Sequence, residues 1–159
     1  MNEASTERGS VLMLVPAAVL VLVILGAIAV DFSVAFLGQR ELASAAGAAA
    51  NDAATAISES AFYQGRDASG AGAIRIDEER ARRVVDQALV ARAPRGVAIV
   101  ERQVDPSEGQ VCVVLRGRVD YVFARAIPGM ADAGNVEARA TATAVTGPAG
   151  SGVAPRPPC

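Results

Sequence analysis

Side chains that could carry out chemistry are few in this chain of 159 residues. It has no His and no Lys, and all fifteen basic residues are Arg. These absences exclude imidazole-based catalytic triads and zinc sites, Schiff-base chemistry and lysine-dependent phosphate loops. The 17 acidic residues show no spacing typical of paired acid/base catalysis. We therefore expect no enzyme activity, no catalytic or metal-binding residues, no cofactor and no small-molecule substrate.

The two cysteines, Cys112 and Cys159, are too far apart in the sequence to form a metal motif. A disulfide between them is chemically sensible outside the cytoplasm. Cys159, however, ends a Gly- and Pro-rich tail, residues 147–159, whose composition predicts disorder. An intermolecular disulfide and a free thiol therefore remain as alternatives.

The composition is unusual for a globular domain. Hydrophobic residues make up 52% of the chain but aromatic residues only 4%, and 34 residues are Ala. Large side chains supply most of the burial energy of a core, so something other than a conventional core must account for this hydrophobicity. The formal net charge of −2 also predicts no nucleic-acid partner.

A single segment near the amino terminus contains most of the large apolar residues. From Val11 to Val30 every residue except Pro16 and Gly26 is Ala, Val, Ile, Leu or Met. Twenty such residues in a helix span about 30 Å, the thickness of the hydrocarbon region of a bilayer. The segment therefore predicts a transmembrane helix, with membrane lipid as a partner. Asp31 follows it directly. It is either a helix residue at the level of the lipid headgroups or a residue that makes a specific contact with a partner.

A secretory signal peptide is the alternative interpretation. Ala27 to Ala29 form an A-x-A pattern, and cleavage there would leave a soluble chain starting at Val30. Apolar residues continue as far as Leu37, which favours an uncleaved anchor. Charges flanking the segment do not decide its orientation, so the short stub of residues 1–9 is assigned to the cytoplasm by default and the rest of the chain to the outside.

The helix is expected to continue beyond the membrane to about Ser60. Residues 40–60 are rich in Ala with Glu, Gln and Ser, which favours helix. Small side chains let a second helix or a sheet approach closely, and the candidates for such packing or assembly contacts, together with Asp31, are Ala45, Ala46, Ala49 and Ala50. Residues 10–62 are thus predicted as one helical unit, followed by a linker at 63–73.

Residues 74–146 predict a small α+β head. Apolar residues recur at helical spacing in residues 77–93 as Ala81, Val84, Val85, Ala88 and Leu89. Three segments then alternate as strands do, at 97–104, 110–123 and 136–145, and the short Pro- and Gly-containing connection at 105–109 favours an antiparallel hairpin. The third segment places only Ala on one face, which indicates close packing against the Ala-rich helix.

The amino-terminal pattern resembles a known family. Glu7 to Ser10, the apolar span, Val30-Asp31, Arg40 and the Ala-rich continuation from Ala45 to Ala56 are similar to the amino-terminal signature of TadE/TadG-like proteins of Flp (Tad) pilus-assembly loci. This resemblance covers roughly the first sixty residues. It implies a pilin-like head outside the cytoplasmic membrane, with other Tad pilus or pseudopilin subunits as partners.

The chain departs from the TadE-type pattern at one position. Cleavage by a prepilin peptidase between Gly9 and Ser10 would require Glu at the fifth position of the mature chain, where Leu14 stands. The resemblance is therefore closer to the uncleaved TadG-like type. We expect a non-enzymatic, single-pass component of Tad-type pilus assembly or associated secretion machinery. The alternative is a secreted envelope protein with a binding role, cut between Ala29 and Val30.

Overall fold

A computed structural model describes residues 7–59, 76–107 and 109–144 of the chain, with side chains from Leu14 onward. Its elements, in chain order, are α1 (Glu7–Ala54), α2 (Glu78–Ala91), β1 (Ala98–Ser107), β2 (Gln110–Asp120), a single 3-10 turn (Ala124–Ala126) and β3 (Ala133–Thr143). The predicted α+β class, with a long amino-terminal helix, a second helix and a small antiparallel sheet, is confirmed. The whole of the predicted linker, 63–73, and the whole of the predicted tail lie outside the described residues.

Helix α1 has two halves with different surroundings. It contains 48 residues, which corresponds to a length of about 72 Å. No side chain between Leu14 and Val30 is buried, whereas buried positions recur from Gly38 onward. The exposed half is long and apolar enough to cross a membrane by length and composition. Membrane lipid is a suitable environment for a helix that is apolar on all sides.

Helix α1 ends at Ala54, before the predicted end near Ser60. The Thr55 hydroxyl donates a hydrogen bond to the Asp52 carbonyl at 2.6 Å, and the Ala56 N–H bonds to the Ala53 carbonyl at 3.0 Å in a tightened last turn. Ile57 then forms an isolated antiparallel bridge with Ile76. Tertiary pairing therefore overrides the helix propensity of the residues that follow.

Helix α2 begins and ends close to its predicted limits. The Asp77 carboxylate caps its amino terminus by accepting the Arg80 N–H at 2.9 Å. The predicted apolar stripe is confirmed, because Ala81, Val85 and Leu89 are buried. The helix is also tied to α1 by an ion pair between Arg92 and Asp52 at 3.1 Å.

The three strands form an antiparallel sheet in the order β1-β2-β3. Strand β1 continues to Ser107, three residues beyond its predicted end, because Ser107 pairs with Gln110 across a two-residue connection. Gly109 in this connection has a φ of +72°, which favours glycine. Strand β2 ends at Asp120 rather than at 123, and β3 begins at Ala133 rather than at 136, so that a twelve-residue loop separates them.

The core lies between the inner face of the sheet and the second half of α1. Val111, Val113, Leu115 and Val119 alternate along β2 and are buried. They share one hydrophobic cluster with Ala138 and Ala142 of β3 and with an Ala-rich face of α1. The predicted packing of the alanines of β3 against α1 is therefore confirmed.

Candidate functional site

Asp31 is the point where α1 meets the loop between β2 and β3. Its Oδ1 accepts the backbone N–H of Val122 at 2.8 Å and that of Phe123 at 3.0 Å. Its Oδ2 accepts the N–H of Ala124 at 2.8 Å. A single carboxylate on the helix thus binds three consecutive N–H groups that lie more than ninety residues further along the chain.

This contact caps the 3-10 turn at Ala124–Ala126. Phe123 occupies the capping position of the turn, but its own side chain makes no capping hydrogen bond. The Asp31 carboxylate supplies the missing acceptors, and negative charge is favourable beside the N–H groups that open a helical turn. The structure therefore gives Asp31 a specific contact within the chain, and its position at the level of the lipid headgroups stays a prediction.

The loop held by Asp31 presents apolar side chains to the surface. The exposed fractions are 45% for Val122, 45% for Phe123, 51% for Ile127 and 56% for Met130. Between Tyr121 and Ala131 the one charged residue is Arg125. The sequence prediction missed this loop because its first residues had been assigned to β2. The feature that could have indicated the loop is the run of uncharged residues on either side of Arg125, between Asp120 and Asp132.

The alanines chosen as assembly residues are occupied within the chain. Ala46, Ala49 and Ala50 are at most 1% exposed and Ala45 is 8% exposed. All four belong to the cluster that packs against the sheet. Of the contacts expected for these alanines, the structure shows packing within the chain, because β2 and β3 cover that face. Their small size serves the approach of sheet to helix.

The outer face of the sheet carries an ion-pair ladder. Arg116 on the central strand pairs with Glu101 of β1 at 2.7 Å and with Glu137 of β3 at 2.9 Å. Glu137 also pairs with Arg139 at 2.6 Å. Hydrogen bonds from Arg116 and then from Arg139 lower the pKa of Glu137 below its ordinary value. The carboxylates of Glu137 and Glu101 in turn raise the pKa of Arg116. The ladder cross-links all three strands.

Cys112 lies on β2 and is disulfide-bonded, so the free-thiol alternative for this residue is wrong. The other cysteine of the chain, Cys159, lies outside the described residues. The candidate processing positions all fall within α1. Gly9 and Ser10 occupy its first turns, and Ala29 and Val30 immediately precede Asp31.

The described residues show little that resembles a substrate site. One depression on their surface lies between α2 and β1, where Asp86 and Arg102 on its wall pair with each other. No group of three or more His, Cys, Asp or Glu is placed among these residues to hold a metal ion. The arrangement that stands out is therefore the junction of Asp31, the apolar helix and the apolar loop.

Comparison of the chain with protein-family models, with curated proteins and with solved structures found no match. Proposals about its function therefore depend on its residues and geometry.

Proposed function

We propose that this chain is a single-pass membrane protein that acts, without enzymatic activity, as a pilin-like component of Tad-type pilus assembly or the associated secretion machinery. Its amino terminus would lie in the cytoplasm and its head outside the cytoplasmic membrane. Its partners would be membrane lipid and other pilus or pseudopilin subunits. The resemblance of its first sixty residues to TadE/TadG-like proteins motivates the assignment to this pathway.

One observation carries the proposal. A continuous helix has an apolar half with no buried residue, and its other half forms one side of the core of an antiparallel α+β head. Exposing so many apolar residues to water is unfavourable, whereas a bilayer accommodates them. The combination of a membrane helix with a small head continuous with it suits a subunit that associates with others at the membrane.

Alkaline carbonate extraction of membranes tests the anchor. We expect the full chain to stay in the membrane fraction and to be released by detergent. A matched pair of variants provides the comparison. Leu22→Arg combined with Leu25→Arg adds about 5–7 kcal/mol to the cost of membrane insertion, so this variant should be released by carbonate. Val90→Arg changes an exposed residue of the head and should stay in the membrane fraction. Release of the unmodified chain by carbonate would refute the anchor.

Deletion of the gene tests the pathway. If the protein assists or enters a Tad-type pilus, deletion should abolish surface pili, and the intact gene should restore them. The anchoring-defective double arginine variant should fail to restore pili while Val90→Arg succeeds. Normal piliation of the deletion strain would remove the pilus role and leave the membrane anchor standing.

Secretion after cleavage between Ala29 and Val30 remains the alternative function, and one observation favours it. Every described residue of the core, from Leu42 to Ala142, lies after this position, and so does Asp31. A chain starting at Val30 would therefore keep the head intact as a binding module. The intact mass of the mature protein separates the cases: a start at Val30 supports secretion, a start at Ser10 supports pilin-type processing, and a start near Met1 supports a permanent anchor.

A further inference from the structure

Most of the exposed apolar side chains of the head lie on the loop between β2 and β3. Among the described residues from Ile76 onward, six large hydrophobic side chains are exposed, and four of them are Val122, Phe123, Ile127 and Met130. Single exposed apolar residues are common on protein surfaces, but a cluster marks a surface that contacts something.

The position of this cluster relative to the membrane helix is set by Asp31. The N–H groups of Val122, Phe123 and Ala124 lie within 3.0 Å of its carboxylate oxygens. Asp31 follows the apolar segment directly, so it lies about 1.5 Å along the helix axis beyond Val30. The headgroup layer on each side of a bilayer is roughly 5–7 Å thick. The loop is therefore held at the level where hydrocarbon gives way to headgroups.

The turns of α1 that follow Asp31 also expose apolar side chains. Phe32, Phe36 and Leu37 are exposed on the helix just after Asp31. Aromatic and aliphatic side chains next to a membrane span are typical of the interfacial layer. At the end of the apolar segment, apolar side chains are therefore exposed both on α1 and on the loop.

The backbone and charge of the loop suit this layer. Three of its N–H groups bind Asp31, and those of Tyr121, Ala126, Ile127 and Met130 bind carbonyl oxygens of the chain. Internal satisfaction of N–H groups lowers the cost of leaving water. Arg125 is exposed and cationic, and its long side chain can reach lipid phosphates from an apolar surface.

We propose that the loop from Val122 to Met130 is a second membrane contact, which inserts its apolar side chains among the lipid headgroups on the same side as the head. The proposal rests on the membrane anchor of the proposed function, but it concerns a separate part of the chain. Its occupant is a lipid surface, and Asp31 is the residue that positions the loop for it.

Single tryptophans provide the test, because the natural chain has none. Phe123→Trp and Met130→Trp report on the loop and Leu22→Trp on the span. Val90→Trp reports on an exposed position of α2, two residues before Arg92, which pairs with Asp52 near the end of α1. Each full-length variant is reconstituted in phosphatidylcholine–phosphatidylglycerol vesicles. Quenching is then measured with lipids brominated either near the headgroup or near the end of the acyl chain.

We expect the Leu22→Trp fluorescence to be quenched most by bromine deep in the bilayer. The two loop reporters should be quenched most by bromine near the headgroups, about twofold or more above Val90→Trp. Two independent loop reporters guard against a local effect of either substitution on folding.

Three results would overturn the proposal. If Leu22→Trp is quenched while both loop reporters behave like Val90→Trp, the loop faces water, and the anchor survives without the second contact. If the loop reporters show blue-shifted emission without lipid quenching, protein covers the loop, either a second copy or another subunit. If Leu22→Trp is not quenched, the anchor itself fails, and the lipid contact fails with it.

Discussion

Asp31 and Glu137 are carboxylates that connect parts of the chain far apart in sequence. Asp31 joins α1 to the loop after β2, and Glu137 joins β3 to β2 through Arg116. The apolar segment made it possible to predict that Asp31 lies at the end of the apolar half of the long helix. Its contact could not be predicted, because its partners are backbone N–H groups in a distant loop. Nearly every residue has such a group, so residue types do not identify the partners.

Replacing Asp31 should loosen the loop without unfolding the head. Asp31→Ala removes the acceptor for three N–H groups, so the amides of Val122, Phe123 and Ala124 should exchange with solvent faster by roughly an order of magnitude. Hydrogen exchange measured by NMR or mass spectrometry in detergent micelles checks this. Glu41→Ala, an exposed acid on the same helix, is the control. Unchanged protection of the three amides in Asp31→Ala would show that the contact contributes nothing in solution.

Glu137 should make stability depend on pH in the acidic range. Its pKa in the folded chain is lowered, first by the Arg116 hydrogen bond and then by Arg139. Its charge therefore stabilises the fold above the ordinary pKa of a glutamate, and this contribution is lost as the pH falls through the lowered pKa. The difference in unfolding free energy between the natural chain and Glu137→Gln should shrink between neutral pH and about pH 3.

Urea titrations at both pH values measure this difference. Glu79→Gln is a suitable comparison, because Glu79 pairs with Arg83 at 3.5 Å on a highly exposed helix face and should have little effect at either pH. A Glu137→Gln difference that is the same at both pH values would contradict the role assigned to the ladder.

At the scale of elements, the alternation of β2 and the recurring alanines on one face of β3 were sufficient to predict a sheet packed on α1. Ala138 and Ala142 of β3 lie in the same cluster as Ala46 and Ala49 of α1. Element ends were predicted less well. Helix α1 stops at Ala54 because Ile57 pairs with Ile76, and β2 stops at Asp120 because the next residues bind Asp31. Both limits come from contacts that are remote in sequence.

Two glycines of α1 should respond to the same substitution with opposite signs. At Gly38, a Cβ atom would lie 2.6 Å from Cγ2 of Val119, a stiff and buried side chain. At Gly47 nothing lies within 4 Å of such an atom. Gly38→Ala should lower the unfolding free energy by about 1–3 kcal/mol through overpacking. Gly47→Ala should raise it by roughly 0.5–1 kcal/mol through helix propensity.

Chemical denaturation of the two variants beside the natural chain measures both changes. Each variant gains the same methyl group and the same helix propensity, so the difference between them isolates the contact with the sheet. Stabilisation by Gly38→Ala would mean that α1 and β2 do not approach each other as closely as described.

At the scale of the whole molecule, the chain divides its hydrophobic residues between two environments. Val, Leu and Ile before Asp31 are exposed on the helix, and Ala predominates where α1 meets the sheet. This division explains how a chain with 52% hydrophobic and 4% aromatic residues builds a small core. Residue types alone were sufficient to predict both the apolar segment and the close contact of helix and sheet. The Ala-rich surface was also expected to contact neighbouring subunits.

Removing the apolar half of α1 should leave a folded head. A chain of residues 30–159 keeps Asp31 and every described core residue, because no residue between 14 and 30 is buried. We expect it to unfold cooperatively, with a melting temperature within a few degrees of that of the full chain, since about 1 kcal/mol corresponds to 4–8 °C in a domain of this size. Circular dichroism and calorimetry check this.

A matched truncation starting at Phe32 should differ from it in one respect. It lacks Asp31, so the amides of residues 122–124 should lose their protection while the melting temperature of the core changes little. Failure of the longer truncation to fold would show that the apolar half of α1 contributes to the head.

The joining of the head to α1 also has a mechanical consequence. The head is fixed to the helix by the Ala face, by Gln39, whose Nε2 donates to the Glu137 carbonyl at 3.2 Å, and by Asp31, and α1 is continuous between its apolar half and these contacts. Helix and head should therefore move together as one rigid body. Ala54 lies about 35 Å along the axis from Asp31, so a tilt of about 20° in the membrane would swing the far end of the head sideways by roughly 12 Å. If α1 is the membrane anchor proposed above, changes in bilayer thickness would be converted into lateral movement of the head.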